Sequence, residues 1–506
     1  MTHRSTPPYS LSHRQPDKRE VCSATPWRAI HHRLLTVLLL LPGAASASAR
    51  TIRLNAKRAV LSGSDLRMAQ QKADEPRHYL TGFSTDADTA LFHIHAGKAG
   101  VYRLSCLCRM TQRKGMEITV NADGISTILH PTNGHGFSMQ YLGIAELVRG
   151  SNTIVVHKGW GGFDLASLEL RKDAAVQPPE PVNSTPSDPA ATPEARALLS
   201  ALETGYGKTT LVGVYANKDA KYTQSVTGRQ PAVMGGDLMR YSPGFLLHSS
   251  GTQHEVERLI AAHQRGQLVT LSWHWASPLG ALNTLQEPWF RSFYTEATTF
   301  DVRVALTDLH SPEHDALLSD IHQIAIQLRR LQDAGVPVLW RPLHEAEDED
   351  FWWGAKGSEP FQALWKLLYH QLTDVEGIHN LVWVFTSGGD PAWYPGDAYV
   401  DIIGIDAYPK DIHDAENALW TTLQDQFAGR RLLTISEYGG VPDLPRMQRL
   451  GEWWNYAVSW SAELGPRKNN PAELKRIDES PGAGTLPSQP QTALPPMLAP
   501  VGSPQP

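Results

Sequence analysis

Between residues 195 and 482 the chain repeats one pattern: a short apolar run, a polar junction, then a helical stretch. The runs are Leu211-Val-Gly-Val-Tyr215, Pro231-Ala-Val-Met234, Leu268-Val-Thr-Leu-Ser272, Val336-Pro-Val-Leu-Trp340, Leu381-Val-Trp-Val-Phe385, Val400-Asp-Ile-Ile-Gly-Ile405, Leu432-Leu-Thr-Ile-Ser436 and Tyr456-Ala-Val-Ser-Trp460. Between the third and fourth, Leu317 to Leu331 alternates apolar and polar residues at helical spacing. The eight runs recur about every 36 residues, the length of a strand-plus-helix unit. Near-continuous apolar runs suit parallel strands covered on both faces. Eight such units predict an α/β fold, a (β/α)8 TIM barrel over 195–482.

The remainder divides by composition. Residues 50–172 carry short β-rich runs, such as Val101-Tyr-Arg-Leu-Ser-Cys106 and Met116-Glu-Ile-Thr-Val120, broken by turn signals at Asp123-Gly124 and Arg149-Gly150. No helix-length amphipathic pattern interrupts them, so an all-β, jelly-roll-like sandwich is expected. Six prolines between Pro178 and Pro193 mark residues 173–194 as a semi-rigid extended linker, and the Pro-rich stretch 483–506 reads as a disordered tail. At the other end, Leu34-Leu-Thr-Val-Leu-Leu-Leu-Leu41 follows Arg28 and Arg33 and precedes Ala45-Ser46-Ala47 and Ala47-Ser48-Ala49. That is the layout of a secretory signal over 1–49, too short to span a bilayer. A secreted protein, extracellular or periplasmic and with no membrane partner, is the expectation.

The formal charge of −6, from 46 basic and 52 acidic residues, disfavours a broad nucleic-acid footprint. Three cysteines build no disulfide framework, and Cys106 and Cys108 share one strand face as small buried residues. Tryptophan is the unusual residue: 13 of 15 lie between Trp273 and Trp460. Crowded indoles beyond the needs of a core suggest stacking against flat amphipathic ligands such as sugars.

In a (β/α)8 barrel the reactive groups project from the C-terminal ends of the strands. The residues closing the runs form a polar set: His274, Glu345, Asp406, Tyr408, Glu437 and Trp460. Glu345 and Glu437 follow the fourth and seventh runs and would face each other across the barrel mouth. Opposed carboxylates among aromatics are what glycosidic cleavage requires, one protonating the leaving oxygen and the other attacking or stabilising the anomeric carbon. Either carboxylate alone would equally suit a structural ion pair.

Trp340-Arg-Pro-Leu-His-Glu345, Phe351-Trp-Trp-Gly354, Ser272-Trp-His274, Trp393-Tyr-Pro-Gly-Asp397, Gly404-Ile-Asp-Ala-Tyr408 and Ser436-Glu-Tyr-Gly439 together resemble glycoside hydrolase family 26, the β-mannanase family. The resemblance implies internal cleavage of β-1,4-mannosidic bonds with retention, Glu345 as acid/base and Glu437 as nucleophile. It implies that His274 and His344 line the cleavage subsite, that Tyr408 holds the nucleophile, and that Trp460 is the sugar platform. Asp406 and Trp353 join the substrate-binding set, although Trp352, Trp353 and Trp393 fit loop support as well as subsite lining. Trp340, Trp365, Trp383 and Trp420 read as core, and Arg341 either positions Glu437 or forms a structural pair. No cofactor and no metal are expected in the barrel chemistry, and a monomer is expected. The neighbouring readings are another β-glycan, β-1,3-xylan or mixed-linkage β-glucan, or a non-catalytic glycan-binding barrel.

One stretch departs from the family pattern: Glu347-Asp-Glu-Asp350 places Asp350 where a Trp is expected. Such a run is either solvated, or raises the pKa of Glu345 by like-charge repulsion, or favours a cation. In the sandwich, Leu147-Val-Arg-Gly150, Asn152-Thr-Ile154, Lys158-Gly-Trp-Gly-Gly-Phe-Asp164 and Leu168-Glu-Leu170 resemble carbohydrate-binding module family 35. That makes Trp160 a candidate polysaccharide contact, or a residue packing the sandwich edge. The resemblance also implies calcium-binding carboxylates near the module's start, where the chain has Leu54-Asn-Ala-Lys-Arg58, so no calcium is expected there.

Overall fold

A computed structural model describes residues 51–487, apart from 72–75, 122, 132–135, 173–175 and 249–252. The leader of 1–49 and the tail beyond 487 lie outside the described residues. All eight apolar runs form strands: β1 (Thr210–Val214), β2 (Val233–Asp237), β3 (Leu268–Trp273), β4 (Val338–Pro342), β5 (Leu381–Thr386), β6 (Ile402–Ala407), β7 (Leu432–Tyr438) and β8 (Tyr456–Ser459). Each pairs in parallel with the next, and β8 returns to β1 through Leu211 opposite Tyr456 to Val214 opposite Ser459. The (β/α)8 barrel is therefore closed.

Local chemistry explains the elements. The helix Pro312–Asp333 starts where the Ser311 side chain accepts from the His314 amide and proline occupies the first helical turn. Leu317, Ile321, Ile324, Ala325, Leu328 and Leu331 form its buried face at the expected helical spacing, and Gly335 just beyond it adopts φ 69°. Every residue of β3, β4, β5 and β7 is buried, as strands covered on both faces require. Trp340, Trp365, Trp383 and Trp420 belong to this core.

One irregularity aims a side chain. Along β6 and β7, Ile405 faces Ile435 but Asp406 faces Glu437, so the register skips Ser436. A bulge of this kind turns the strand locally. It brings the Asp406 and Glu437 carboxylates side by side at the barrel mouth.

Residues 51–172 form the expected sandwich, two antiparallel sheets enclosing their own apolar core. Cys106 and Cys108 point into that core as free thiols. The described residues of sandwich and barrel lie within one compact unit. The linker is extended but packed: Val182 and Ala191 are buried, the Ser187 amide donates to Asp401 at 2.5 Å, and Asp188 meets His379 at 2.8 Å. The first barrel helix begins at Pro193, capped by Thr192, two residues before the expected boundary.

The tail requires a correction. Ala483–Pro487 is a strand, paired in parallel with Thr210 and Leu211 and antiparallel with Arg229–Pro231. Pairing on both sides orders a stretch whose proline and glycine made it read as disordered; the proline stands at the strand's end. Its anchor is Leu486, which is buried. Leu486→Ala should lower unfolding free energy by about 2 kcal/mol in urea titrations. An unchanged midpoint would show that the added strand contributes nothing to the barrel.

Candidate active site

The site is organised around Arg341, which rises from β4 with its side chain wholly buried. Its Nη1 donates to Asp406 Oδ2 at 2.6 Å, and its Nη2 donates to Glu437 Oε1 and to the Tyr215 hydroxyl at 3.1 Å. Burial alone would depress the guanidinium, but Asp406 and Glu437 outweigh it and hold Arg341 well above its ordinary value. The second oxygen of Glu437 accepts from the Tyr408 hydroxyl at 2.5 Å. Both carboxylate oxygens of Glu437 are thus engaged by donors, which fixes its orientation.

Glu345 lies three residues beyond β4. Leu343 and Glu345 both adopt left-handed backbone conformations, φ 51° and 52°, uncommon for residues with a side chain. The turn is held by Gly354, at which a Cβ would lie 2.2 Å from the Ala346 carbonyl oxygen. The Glu345 carboxyl is pushed up to about 7, first by burial and then by the charge of Glu437, against the lowering effect of Arg341 and His274. Asp348 adds a smaller repulsion. The acidic run therefore acts on Glu345 mainly through this one residue, and burial is the larger effect. Glu347 turns inward to accept from the Gly388 amide at 2.6 Å, Asp348 pairs with Arg113 at 3.0 Å, and Asp350 is exposed.

Across the mouth, His274 Nδ1 meets Asp237 Oδ2 at 2.5 Å while its Nε2 lies 3.2 Å from His344 Nε2. Burial alone would lower His274, but Asp237 reverses this and raises it; His344 is held well below its ordinary value by burial, Arg341 and His274. A cationic His274 donating to a neutral His344 satisfies both shifts. Trp460 packs on Tyr215 with ring centroids 4.6 Å apart and reaches toward His274 at 6.1 Å.

Glu345, Glu437, Asp406, Tyr408, His274 and Trp460 are thus gathered at one end of the barrel. Two residues expected at the sugar are not at the surface: His344 and Trp353 are both buried, and the Trp353 indole donates to the His344 carbonyl at 2.8 Å. Trp352 and Trp393 are buried as well, so the Phe351-Trp-Trp-Gly354 indoles support the loop. Tyr215 and Asp237 were not anticipated. Tyr215 closes the first run and was open to the strand-end rule, whereas Gly235-Gly236 ended the second run before Asp237. Trp160 is half-exposed at the sandwich edge.

Among the described residues, the group able to hold a metal is Glu345, Asp406 and Glu437, each with a carboxylate oxygen within 4.8 Å of the others. Arg341 already supplies a cation to two of the three. A pair of carboxylates, one made reluctant to ionise and the other gripped by donors, at the C-terminal mouth of a (β/α)8 barrel defines the class of glycoside hydrolases.

Comparison with known proteins narrows this. The sequence profile of Glycosyl hydrolase family 26 matches residues 187–481, and the chain belongs to that family. It is 35% identical over 447 residues to a mannan endo-1,4-beta-mannosidase of Thermothelomyces thermophilus, covering 88% of this chain and 91% of that one. The fold is similar to that of a Podospora anserina GH26-CBM35 beta-(1,4)-mannanase (TM-score 0.62, 33% identity), covering 86% of this chain and 98% of that one. It is also similar to a beta-mannanase from a symbiotic protist of the termite Reticulitermes speratus complexed with gluco-manno-oligosaccharide (TM-score 0.55, 30% identity), over 61% of this chain and 98% of that one.

Gly354→Ala tests how the Glu345 turn is held. Crowding against the Ala346 carbonyl should destabilise the protein by about 1–3 kcal/mol in denaturant titrations. Wild-type stability in this variant would mean that the turn does not depend on the close approach.

Proposed function

We propose that this chain is a secreted, retaining endo-β-1,4-mannanase acting within mannan chains. The observation carrying the mechanism is the approach of Glu345 and Glu437, one carboxylate oxygen of each lying within 4.8 Å of the other. Double displacement uses carboxyls about 5–5.5 Å apart, whereas inversion needs a wider gap for water. The relatives named above support mannan as substrate, and the leader sequence supports secretion.

In the first step Glu437 attacks the anomeric carbon as Glu345 gives its proton to the glycosidic oxygen, and the carbon–oxygen bond to the leaving chain breaks. Tyr408 and Arg341 hold Glu437 in line for this attack. The resulting ester removes the charge on Glu437, which is the second cause of the raised Glu345 pKa. Glu345, already deprotonated by the first step, then accepts a proton from the water that releases the sugar from Glu437. Trp460 and His274 hold the sugar beside Glu437, and the sandwich binds polysaccharide.

The reaction needs protonated Glu345 and so persists below about pH 7 and falls as pH rises through that value. Because burial and Glu437 dominate the shift, the double variant Glu349→Gln with Asp350→Asn should leave the basic limb of the kcat/KM profile in place. A limb that drops toward an ordinary carboxylate value would assign the shift to the acidic run instead.

Substrate class is tested by incubating the protein with mannan, xylan and glucan beside Glu437→Ala. Reducing sugar from mannan is expected, with the variant reduced by at least about 10³-fold. Release from xylan or glucan alone would replace the substrate, and release from none would support a glycan-binding protein.

A further inference from the structure

The sandwich does not hang beside the barrel; it is docked on the segment that follows β6. Asn417, fully buried, accepts from the Ile144 amide at 2.5 Å and donates to the Ile144 carbonyl at 3.1 Å. Asp414 accepts from the Ser126 amide, Asp411 accepts from the Gly124 amide at 3.2 Å, and the Tyr141 hydroxyl meets Thr421 at 3.1 Å. A buried side chain that makes both hydrogen bonds of a strand residue sets orientation as well as adhesion. The sandwich edge at Arg113, Gly115 and Trp160 is thereby held against the barrel mouth.

That edge completes a cavity. A space of about 430 Å³ is lined from the barrel by Glu345, Asp348, Asp406 and Gly388, and from the sandwich by Arg113 and Trp160. A larger space of about 740 Å³ shares Trp160, Asp406 and Gly388 in its lining and is also lined by Tyr408 and Lys410. Both volumes fall in the range of about 300–1,000 Å³ common for ligand sites. The smaller cavity contains the Glu345 side of the mouth, whereas Tyr215, Trp460 and Glu437 do not line it. A space lined by the proton donor and not by Glu437, Tyr215 or Trp460 suits the leaving chain.

Trp160 is the aromatic residue lining the smaller cavity. Its ring lies against Gly115, where a Cβ would approach to 2.5 Å, and the Trp160 carbonyl accepts from the Gly115 amide at 3.0 Å. One side of the indole is thus braced by strand backbone while the residue stays 52% exposed. The Arg113 guanidinium lies over the indole ring, 5.9 Å from its centroid, and is tied to the Asp348 carboxylate and the Glu347 carbonyl, at 3.0 and 3.4 Å. A half-exposed indole with a guanidinium over its ring offers apolar surface and hydrogen-bond donors together, which suits a pyranose, apolar on its face and hydroxylated at its edge.

We propose that the sandwich supplies the wall of the leaving-group subsite: Trp160 stacks on a sugar of the departing chain, Arg113 hydrogen-bonds its hydroxyls, and the catalytic cleft is built from both modules. This rests on the mannanase reading above, and it makes the sandwich part of the cleavage site in addition to any independent polymer binding.

The test compares wild type, Trp160→Ala, Trp160→Phe and Arg113→Met on mannohexaose in ¹⁸O-water, where product masses report which bond is cut. It also compares kcat/KM for mannohexaose with that for an aryl β-mannobioside, whose leaving group is a single ring. In Trp160→Ala, cleavage should shift toward positions with fewer sugars on the leaving side, and the hexaose-to-aryl ratio should fall about five- to tenfold. Trp160→Phe should restore most of the pattern, and Arg113→Met should move it in the same direction as the alanine variant. A wild-type pattern and ratio in both Trp160→Ala and Arg113→Met would overturn the subsite while leaving the mannanase reading intact. No product from wild-type protein would overturn both.

Discussion

The buried guanidinium of Arg341 is the constraint on which the site depends. Three carboxylates, Glu345, Asp406 and Glu437, converge on one end of the barrel with oxygens within 4.8 Å of one another. Burial and mutual repulsion push the Asp406 carboxyl well above its ordinary value and Glu345 up to about 7, and Arg341 lowers both. A buried arginine with its planar fork of donors serves two of them at once, which a lysine could not do with the same geometry. The arrangement is not chiefly a source of stability, because burying three charges offsets most of their attraction. Its consequence is asymmetry: Arg341 hydrogen-bonds Asp406 and Glu437 directly, whereas on Glu345 burial and the charge of Glu437 outweigh it.

That asymmetry separates the two glutamates. Glu437 has donors on both oxygens, and the β6–β7 bulge turns it beside Asp406. Glu345 sits on a left-handed turn, its acidity governed by burial and by the charge of Glu437. The coupling makes its proton affinity depend on what Glu437 is doing, so one residue serves as acid and then as base. The His274–His344 pair shows the same economy, with Asp237 assigning the charge to the imidazole that faces the mouth.

Much of this was legible in sequence because a parallel barrel writes its architecture as repetition. Eight apolar runs located eight strands, and the residues closing them located Glu345, Glu437, Tyr408 and Trp460. Asp237 escaped because two glycines hid the end of its strand. The burial of Trp353 and His344 was not legible, because local pattern does not report depth. The strand Ala483–Pro487 was missed because its order comes from pairing with residues more than 250 positions earlier. The meeting of Trp160 with the Glu345 loop is likewise tertiary. Nothing in either module's sequence announces it, and it follows from Asn417 docking on Ile144.

The division of roles between the glutamates is tested most directly by trapping the covalent intermediate. A 2-deoxy-2-fluoro-β-mannobiosyl fluoride slows breakdown of a glycosyl-enzyme more than its formation. After reaction, peptide mass spectrometry should find one fluoromannobiosyl group on Glu437. Label on Glu345, or release of the inverted sugar with no labelled peptide, would contradict the roles assigned to these two residues.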